Sequence, residues 1–326
     1  MADAIVLRDL TKTFGSTVAV RDLNLVVPEG ALYGVIGPNG AGKTTTIRMI
    51  LSILFPDRGE LSVLGHKSAL EAKDRIGYLP EERGLYKKMK VGAFLAYIAR
   101  LKGYGGTDLR KQVRSWLERI GLSAVEGKRC EELSKGMQQK IQFVASVIHK
   151  PDLLILDEPF SGLDPVNQRL VREVVLEEHR RGATVLFSTH VMIHAEQLCD
   201  HVVMIHRGEK VLDETMAGIR AKFDPRSVLF DPLDAAANVE ALREVAGVES
   251  VRKDGTSWDV RLGADTLASD LIPALAAKIP PSRIELRRPT LEDVFVAIVA
   301  DSGPGEADDE RLRAALRESE AAEVAR

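Results

Sequence analysis

The chain has 326 residues, 45% of them hydrophobic, with 45 basic and 48 acidic side chains and a formal net charge of -3. That length suggests about two domains with full cores, and the charge balance gives no global case for nucleic acid as a partner. No apolar run approaches the ~18 residues of a membrane span, the start of the chain lacks signal-peptide regions, and Cys130 and Cys199 stand far apart, so a cytoplasmic protein with free thiols is expected.

Ala4 to Leu10 and Leu23 to Val27 read as short strands joined by a polar loop, Thr11-Lys12-Thr13-Phe14-Gly15, that displays one aromatic ring. Phe14 is suited to stack on an adenine, a contact worth ~1 to 3 kcal/mol without any base-specific hydrogen bond. The run Ala31 to Ile36 predicts a buried strand, and Thr44 to Leu54 predicts a helix with Ile47, Ile50, Leu51 and Leu54 on one face. Between them, Gly37-Pro38-Asn39-Gly40-Ala41-Gly42-Lys43-Thr44 fills every fixed position of the phosphate-cradling pattern G-x-x-x-x-G-K-[ST], in the required strand-loop-helix context. Its glycines let backbone NH groups wrap phosphate oxygens, Lys43 adds a positive charge, the helix N-terminus adds its dipole, and Thr44 offers a hydroxyl to Mg2+.

Gly59 to Gly65 and Arg75 to Leu79 predict strands, the second running into a polar loop from Pro80 to Tyr86 that includes Glu81. Two helical patterns follow, Val91 to Lys102 and Leu109 to Ile120, divided by Gly103-Tyr104-Gly105-Gly106, and suggest a helical insertion. Leu133-Ser134-Lys135-Gly136-Met137 opens another helix, with Ser134 as its N-cap and exposed NH groups that suit a phosphate. Leu153 to Leu156 reads as a fully buried strand ending in Asp157-Glu158-Pro159. Adjacent residues on a strand point to opposite faces, so Asp157 can serve Mg2+ while Glu158 faces an attacking water. A helix over Asp164 to Arg180 and a strand over Ala183 to Ser188 bring the chain to Thr189-His190, a histidine placed to contact a terminal phosphate. His194 stands four residues on, but the glutamate of the zinc pattern H-E-x-x-H is absent.

Phe223-Asp224-Pro225 reads as a boundary. Strand Ser227 to Phe230, helix Val239 to Val245, strands Val248 to Lys253 and Trp258 to Leu262, helix Leu267 to Ala277 and strand Ile284 to Arg288 give a βαββαβ order, the pattern of a ferredoxin-like α+β module. Thr290-Leu291-Glu292-Asp293 resembles a capping box for a last helix through Val299. Residues 301–326 carry eight acidic and four basic side chains, a composition expected of a solvated tail.

The order of motifs resembles the ATP-binding subunit of ABC transporters, from residue 1 to about 220. Phe14 looks like the adenine-stacking aromatic, Gly37 to Thr44 with Thr45 the Walker A loop, Ser134, Lys135, Gly136 and Met137 the signature, and Leu153 to Pro159 the Walker B strand. Ser161-Gly162-Leu163-Asp164 looks like the D-loop and His190 the switch histidine. Glu81 replaces the usual Q-loop glutamine and the signature reads LSKGMQQK, as in the sodium- and drug-extrusion group. Pro289 to Phe295 extends that likeness to about residue 300, where such ATPases end a small accessory domain.

The resemblance implies an α/β P-loop NTPase domain over 1–221, with antiparallel β and helical subdomains and a helical insertion near 87–135. A C-terminal α+β domain over 222–300 and a charged tail would follow. It implies ATP as substrate and Mg2+ as cofactor, held through Thr44, Asp157 and Glu81, with Glu158 activating water and His190 sensing the γ-phosphate. It also implies a second ATPase subunit, identical or not, whose Ser134 and Gly136 meet the first subunit's nucleotide. A membrane permease of ABC-2 type would dock near Tyr86 to Tyr97 and hold the chain on the inner face of the membrane. Glu81 pointing away toward Arg83 or a permease residue is the alternative for that loop. A soluble ATPase clamping ribosomes or nucleic acid is the alternative for the chain, although such proteins usually carry two ATPase units or long coiled coils, neither of which is seen.

Overall fold

Alternating burial along Asp3–Phe14 (β1) and Thr17–Pro28 (β2) folds the start of the chain into an antiparallel ribbon, and Arg58–Val63 (β4) pairs with the other edge of β1. The computed structural model describes residues 2–82, 84–223 and 226–300. Arg83, the Asp224-Pro225 part of the expected boundary and the tail 301–326 lie outside the described residues. Thr11 to Phe14, expected as a loop, continue β1 to a turn at Gly15 and Ser16. The ladder passes left-handed residues at Asp9 and Asp22 through register shifts. Such bulges break the polar and apolar alternation by which a strand is recognised in sequence.

The central sheet contains Leu32–Ile36 (β3), Ile76–Leu79 (β5), Leu153–Asp157 (β6), Thr184–Thr189 (β7), His201–His206 (β8) and Glu209–Thr215 (β9), in the order β5-β6-β7-β3-β8-β9. Neighbours run parallel except β8 and β9. β3, β6 and β7 are buried along their whole length, which explains their unbroken apolar sequences. Ile36 pairs with Thr189 and Asp157 with Ser188, so the segments that leave these three strands emerge together at one edge.

Lys43–Ile50 (α1) stops short of Leu54 because Ser52 adopts a left-handed conformation that a continuing helix does not allow. Val91–Leu101 (α2), Leu109–Arg119 (α3) and Lys135–Val147 (α4) form the expected helical lobe around Phe94, Leu95, Val113, Leu117, Ile141 and Val144. Ser134 caps α4, its hydroxyl accepting from the Met137 amide at 3.3 Å. Asp164 caps Pro165–Arg180 (α5) in the same way, followed by Met192–Leu198 (α6) after β7.

Among the described residues, those up to Met216 together with 295–300 form one compact unit, and those within Ala217–Val294 form the other. Met216–Lys222 (α7) begins at that division. In the second unit Ser227–Pro232 (β10), Val248–Asp254 (β11), Ser257–Leu262 (β12) and Pro281–Leu286 (β13) make an antiparallel sheet ordered β11-β12-β10-β13. A 3-10 turn over Val239–Glu244 and the helix Ala268–Lys278 (α8) connect them around Val228, Phe230, Leu242, Val260 and Leu275, which is the ferredoxin-like arrangement. Thr290 and Asp293 cap Leu291–Ala300 (α9) reciprocally: the Asp293 amide donates to Thr290 Oγ1 at 3.1 Å and the Thr290 amide to Asp293 Oδ2 at 3.4 Å. Cys130 and Cys199 are free and buried.

His149, just beyond α4, is only 7% exposed, with Nε2 3.2 Å from the Ile76 carbonyl. Burial, and then the charge of Lys102, push its pKa down to about 4. The folded chain therefore keeps His149 neutral where the unfolded chain protonates it, and stability is lost as pH falls from about 6.5 toward 4. Urea unfolding at pH 7 and pH 5 should differ by about 2 kcal/mol from this group, and His149→Gln should remove that part of the difference. An equal loss in the variant would assign the acid sensitivity elsewhere.

Candidate active site

The phosphate-cradling loop runs where side chains do not fit. Gly37 has φ 151°, and a Cβ there would lie 2.1 Å from the Ile205 carbonyl oxygen; Gly42 has φ 107°, and its Cβ would lie 2.5 Å from the Ala19 carbonyl oxygen. Pro38, Asn39, Gly40 and Ala41 make the turn between them, closed by the Ala41 amide donating to Pro38 O at 3.1 Å. Lys43 opens α1 and folds back into the loop, where Nζ donates to Gly37 O at 2.7 Å and to Pro38 O at 3.2 Å. Burial lowers the Lys43 pKa, while the charges of Glu158, Asp157 and Glu81 oppose that shift. Thr44 and Thr45 follow, both half-buried.

Asp157, at the tip of β6, is fully buried, and neither carboxylate oxygen has a hydrogen-bond partner among the described residues. Burial is the main cause that raises its pKa, with the charges of Glu158 and Glu81 adding to it. The nearby Thr44 and Ser188 hydroxyls pull the other way, yet neither makes a well-formed hydrogen bond to it. An unpaired buried carboxylate is costly, and a divalent cation is the ligand that compensates it. Mg2+ fits this donor set, since it needs only one or two protein oxygens besides phosphate oxygens and waters. Among the described residues no group of three His, Cys, Asp or Glu side chains is arranged to hold a metal by itself. His194 packs edge-on against Phe160, with ring centroids 4.7 Å apart.

Glu158 has φ 49°, a conformation that costs a non-glycine residue about 1 kcal/mol or more and recurs at functional sites. The turn directs its carboxylate toward the end of β7: Oε1 accepts from the His190 amide at 2.8 Å and lies 2.7 Å from His190 Nδ1, while Oε2 accepts from Thr189 Oγ1 at 3.0 Å. The structure thus joins Glu158 and His190 into a pair. Thr189 is the member of this contact whose role sequence reading did not anticipate, because it depends on two strand tips 31 residues apart.

Glu81 is exposed, and its charge reaches Lys43, Asp157 and Tyr78. Tyr78, on β5, has its pKa raised to about 12, first by burial and then by the charge of Asp157. Gln142 of α4 is buried and hydrogen-bonds the backbone on both sides of Glu81, a contact no local sequence signal announces.

The remaining expected residues are spread over the same unit. Phe14, 51% exposed, sits at the end of the β1–β2 ribbon with Lys12 Nζ 5.6 Å from its ring centroid. Ser134 and Lys135 are exposed and Gly136 and Met137 half-buried at the start of α4. Among the described residues no hydrogen bond or ion pair links them to the Lys43–Asp157 cluster. Ser161 follows the Glu158 turn, its amide donating to Glu158 O at 3.2 Å, and the Asp164 carboxyl is held below its usual range by the Asn167 amide and side chain.

Residues 20–161 match the family described as "ABC transporter", and residues 215–299 match "ATP-binding protein DrrA1-3-like, C-terminal domain". An uncharacterized ABC transporter ATP-binding protein of Bacillus subtilis, YhaQ, is 41% identical over 287 residues, 88% of this chain and 95% of that protein. The chain belongs to the ATP-binding proteins of ABC transporters. This ABC ATPase subunit is also 30% identical to the daunorubicin/doxorubicin resistance ATP-binding protein DrrA of Streptomyces peucetius, over 98% of each chain. A solved structure of an ATP-binding subunit of an ABC transporter aligns with a TM-score of 0.64 and 31% identity, covering 68% of this chain and 93% of that one. The ABC ATPase has the P-loop fold expected from its sequence, and among its described residues no helix is long and apolar enough to cross a membrane.

Asp157→Asn should raise the melting temperature of the ligand-free ATPase by removing an unpaired buried charge, and should abolish the extra stabilisation that Mg2+ adds to bound ATP. Melting curves with ATP, with Mg2+ and with both test this. A full Mg2+ effect in the variant would place the metal elsewhere.

Proposed function

We propose that this ABC ATPase hydrolyses ATP at the Lys43–Asp157 cluster and drives a separate membrane permease of ABC-2 type for efflux. The observation that carries the reading is the fully buried Asp157 carboxylate without a donor, beside the Thr44 hydroxyl and the Lys43 loop. The loop from Gly37 to Thr45 binds the phosphates, Thr44 and Asp157 hold Mg2+, Glu81, whose charge acts on Lys43 and Asp157, is the third group toward the metal, and Phe14 takes the adenine. Held through Thr44 and Asp157, Mg2+ would supply positive charge that neutralises the charge developing on the phosphates.

Glu158 is the general base for the attacking water in this reading, and His190 the group that meets the γ-phosphate. The short contact between Glu158 Oε1 and His190 Nδ1 makes Nδ1–H the donor to the carboxylate and so orients the imidazole. The site is completed by a second ATPase subunit, a second copy or a close relative. Its Ser134, Lys135, Gly136 and Met137 cover the nucleotide, while Ser161 and Asp164 line the contact between subunits. The exposed start of α4 supports that arrangement, as does a dimeric ATP-binding cassette bound to ADP and Pi among proteins of the same fold.

Export is favoured by the C-terminal domain match and by likeness to resistance proteins such as DrrA. The permease docks at the exposed aromatic pair Tyr86 and Tyr97, whose rings lie edge to face at 5.8 Å, and so keeps the ATPase on the inner face of the membrane. Glu158→Gln should bind ATP normally but turn it over ~10² to 10⁴ times more slowly, and should accumulate an ATP-dependent dimer. Steady-state hydrolysis and size-exclusion chromatography with ATP check both. Near-normal turnover would remove Glu158 from the role of base. Gently solubilised membranes should yield the chain together with a polytopic protein; sedimentation that nuclease treatment abolishes would contradict transport.

A further inference from the structure

Gln142 lies on α4, two turns past the Ser134 cap, and is only 6% exposed. Its side-chain amide is satisfied by another segment of the chain. Nε2 donates to Pro80 O at 3.3 Å and to Glu82 O at 3.1 Å, and Oε1 accepts from the Gly84 amide at 3.2 Å. One planar amide therefore uses its donor and acceptor ends on the backbone flanking Glu81. A buried amide matched in this way is held in one place, because releasing any partner leaves a polar group unsatisfied. Packing of α4 within the helical lobe is the work of other residues, Ile141 and Val144 among them.

We infer that Gln142 is a positioning residue for the ATPase site: it fastens the backbone around Glu81 to the helix that begins at Ser134, and so holds the Glu81 carboxylate toward Lys43 and Asp157. This rests on the proposed role of Glu81. The consequence is mechanical. A shift of α4 reaches the Glu81 segment through the Gln142 side chain, 60 residues away along the sequence from its Glu82 partner.

Gln142→Met preserves length and approximate volume while removing all three hydrogen bonds, and Gln142→Leu is a second apolar test. Hydrogen exchange at the Gly84 amide should quicken by about tenfold or more in both, with amides inside α4 unchanged. A carboxylate held near the γ-phosphate repels ATP when no metal is present, so ATP measured without Mg2+ should bind about threefold more tightly to Gln142→Met. Glu81→Gln should give the same gain and a weaker Mg2+ effect, and the double variant should add nothing further. Wild-type exchange at Gly84 in both apolar variants, with melting curves retained, would overturn the tether. A freed Gly84 amide with unchanged metal-free ATP affinity in Gln142→Met, but a gain in Glu81→Gln, would overturn the positioning of Glu81. An unaltered Mg2+ effect in Glu81→Gln contradicts the role of Glu81 itself, and Gly84 exchange then decides the tether alone.

Discussion

A carboxylate without a donor and an ammonium folded onto loop carbonyls are both buried at one edge of a parallel sheet, and the rest of the first unit holds them there. Asp157 has no hydrogen-bond partner among the described residues, and Lys43 donates to Gly37 and Pro38. Leaving such a carboxylate uncompensated costs stability, so the surrounding structure must over-determine its position. The flat register of β3, β6 and β7 does that, and the close approach of Ile205 and Ala19 at Gly37 and Gly42 leaves the loop one path. In the proposed function a polyanionic nucleotide with its metal would supply the charges this edge lacks.

Around that pair the site is assembled from segments with distinct attachments. The Glu158 turn is tied to β7 through Thr189 and His190, so the proposed base and the proposed phosphate sensor share one carboxylate. The Glu81 segment is tied to the helical lobe through Gln142. Two acidic groups that act on the same lysine are thus mounted on different parts of the unit. With the proposed roles of Glu81 and Glu158, this arrangement would let nucleotide chemistry and movement of the helical lobe influence each other through these contacts.

Much of this was legible before any coordinates. Eight consecutive residues from Gly37 to Thr44 identify the loop because each fixed position answers a local steric or charge requirement. Ser134 and Thr290 were readable as caps for the same reason, and the βαββαβ order of the second unit carries its sheet order with it. Thr11 to Phe14 carry a loop-like sequence although they belong to β1, because the strand continues across register shifts that interrupt its alternation. Partners brought together by folding alone left no local trace: Gln142 with Pro80 and Glu82, and Glu158 with Thr189 and His190.

The central claim is that Thr44 and Asp157 receive the metal of a bound nucleotide. The most direct measurement is anomalous diffraction from crystals of Glu158→Gln grown with ATP and Mn2+ in place of Mg2+. The account requires one strong manganese peak within coordination range of the Thr44 hydroxyl, and of Asp157 directly or through a water, touching the phosphates. A peak on other side chains, or nucleotide bound with its phosphates away from Lys43, would contradict it.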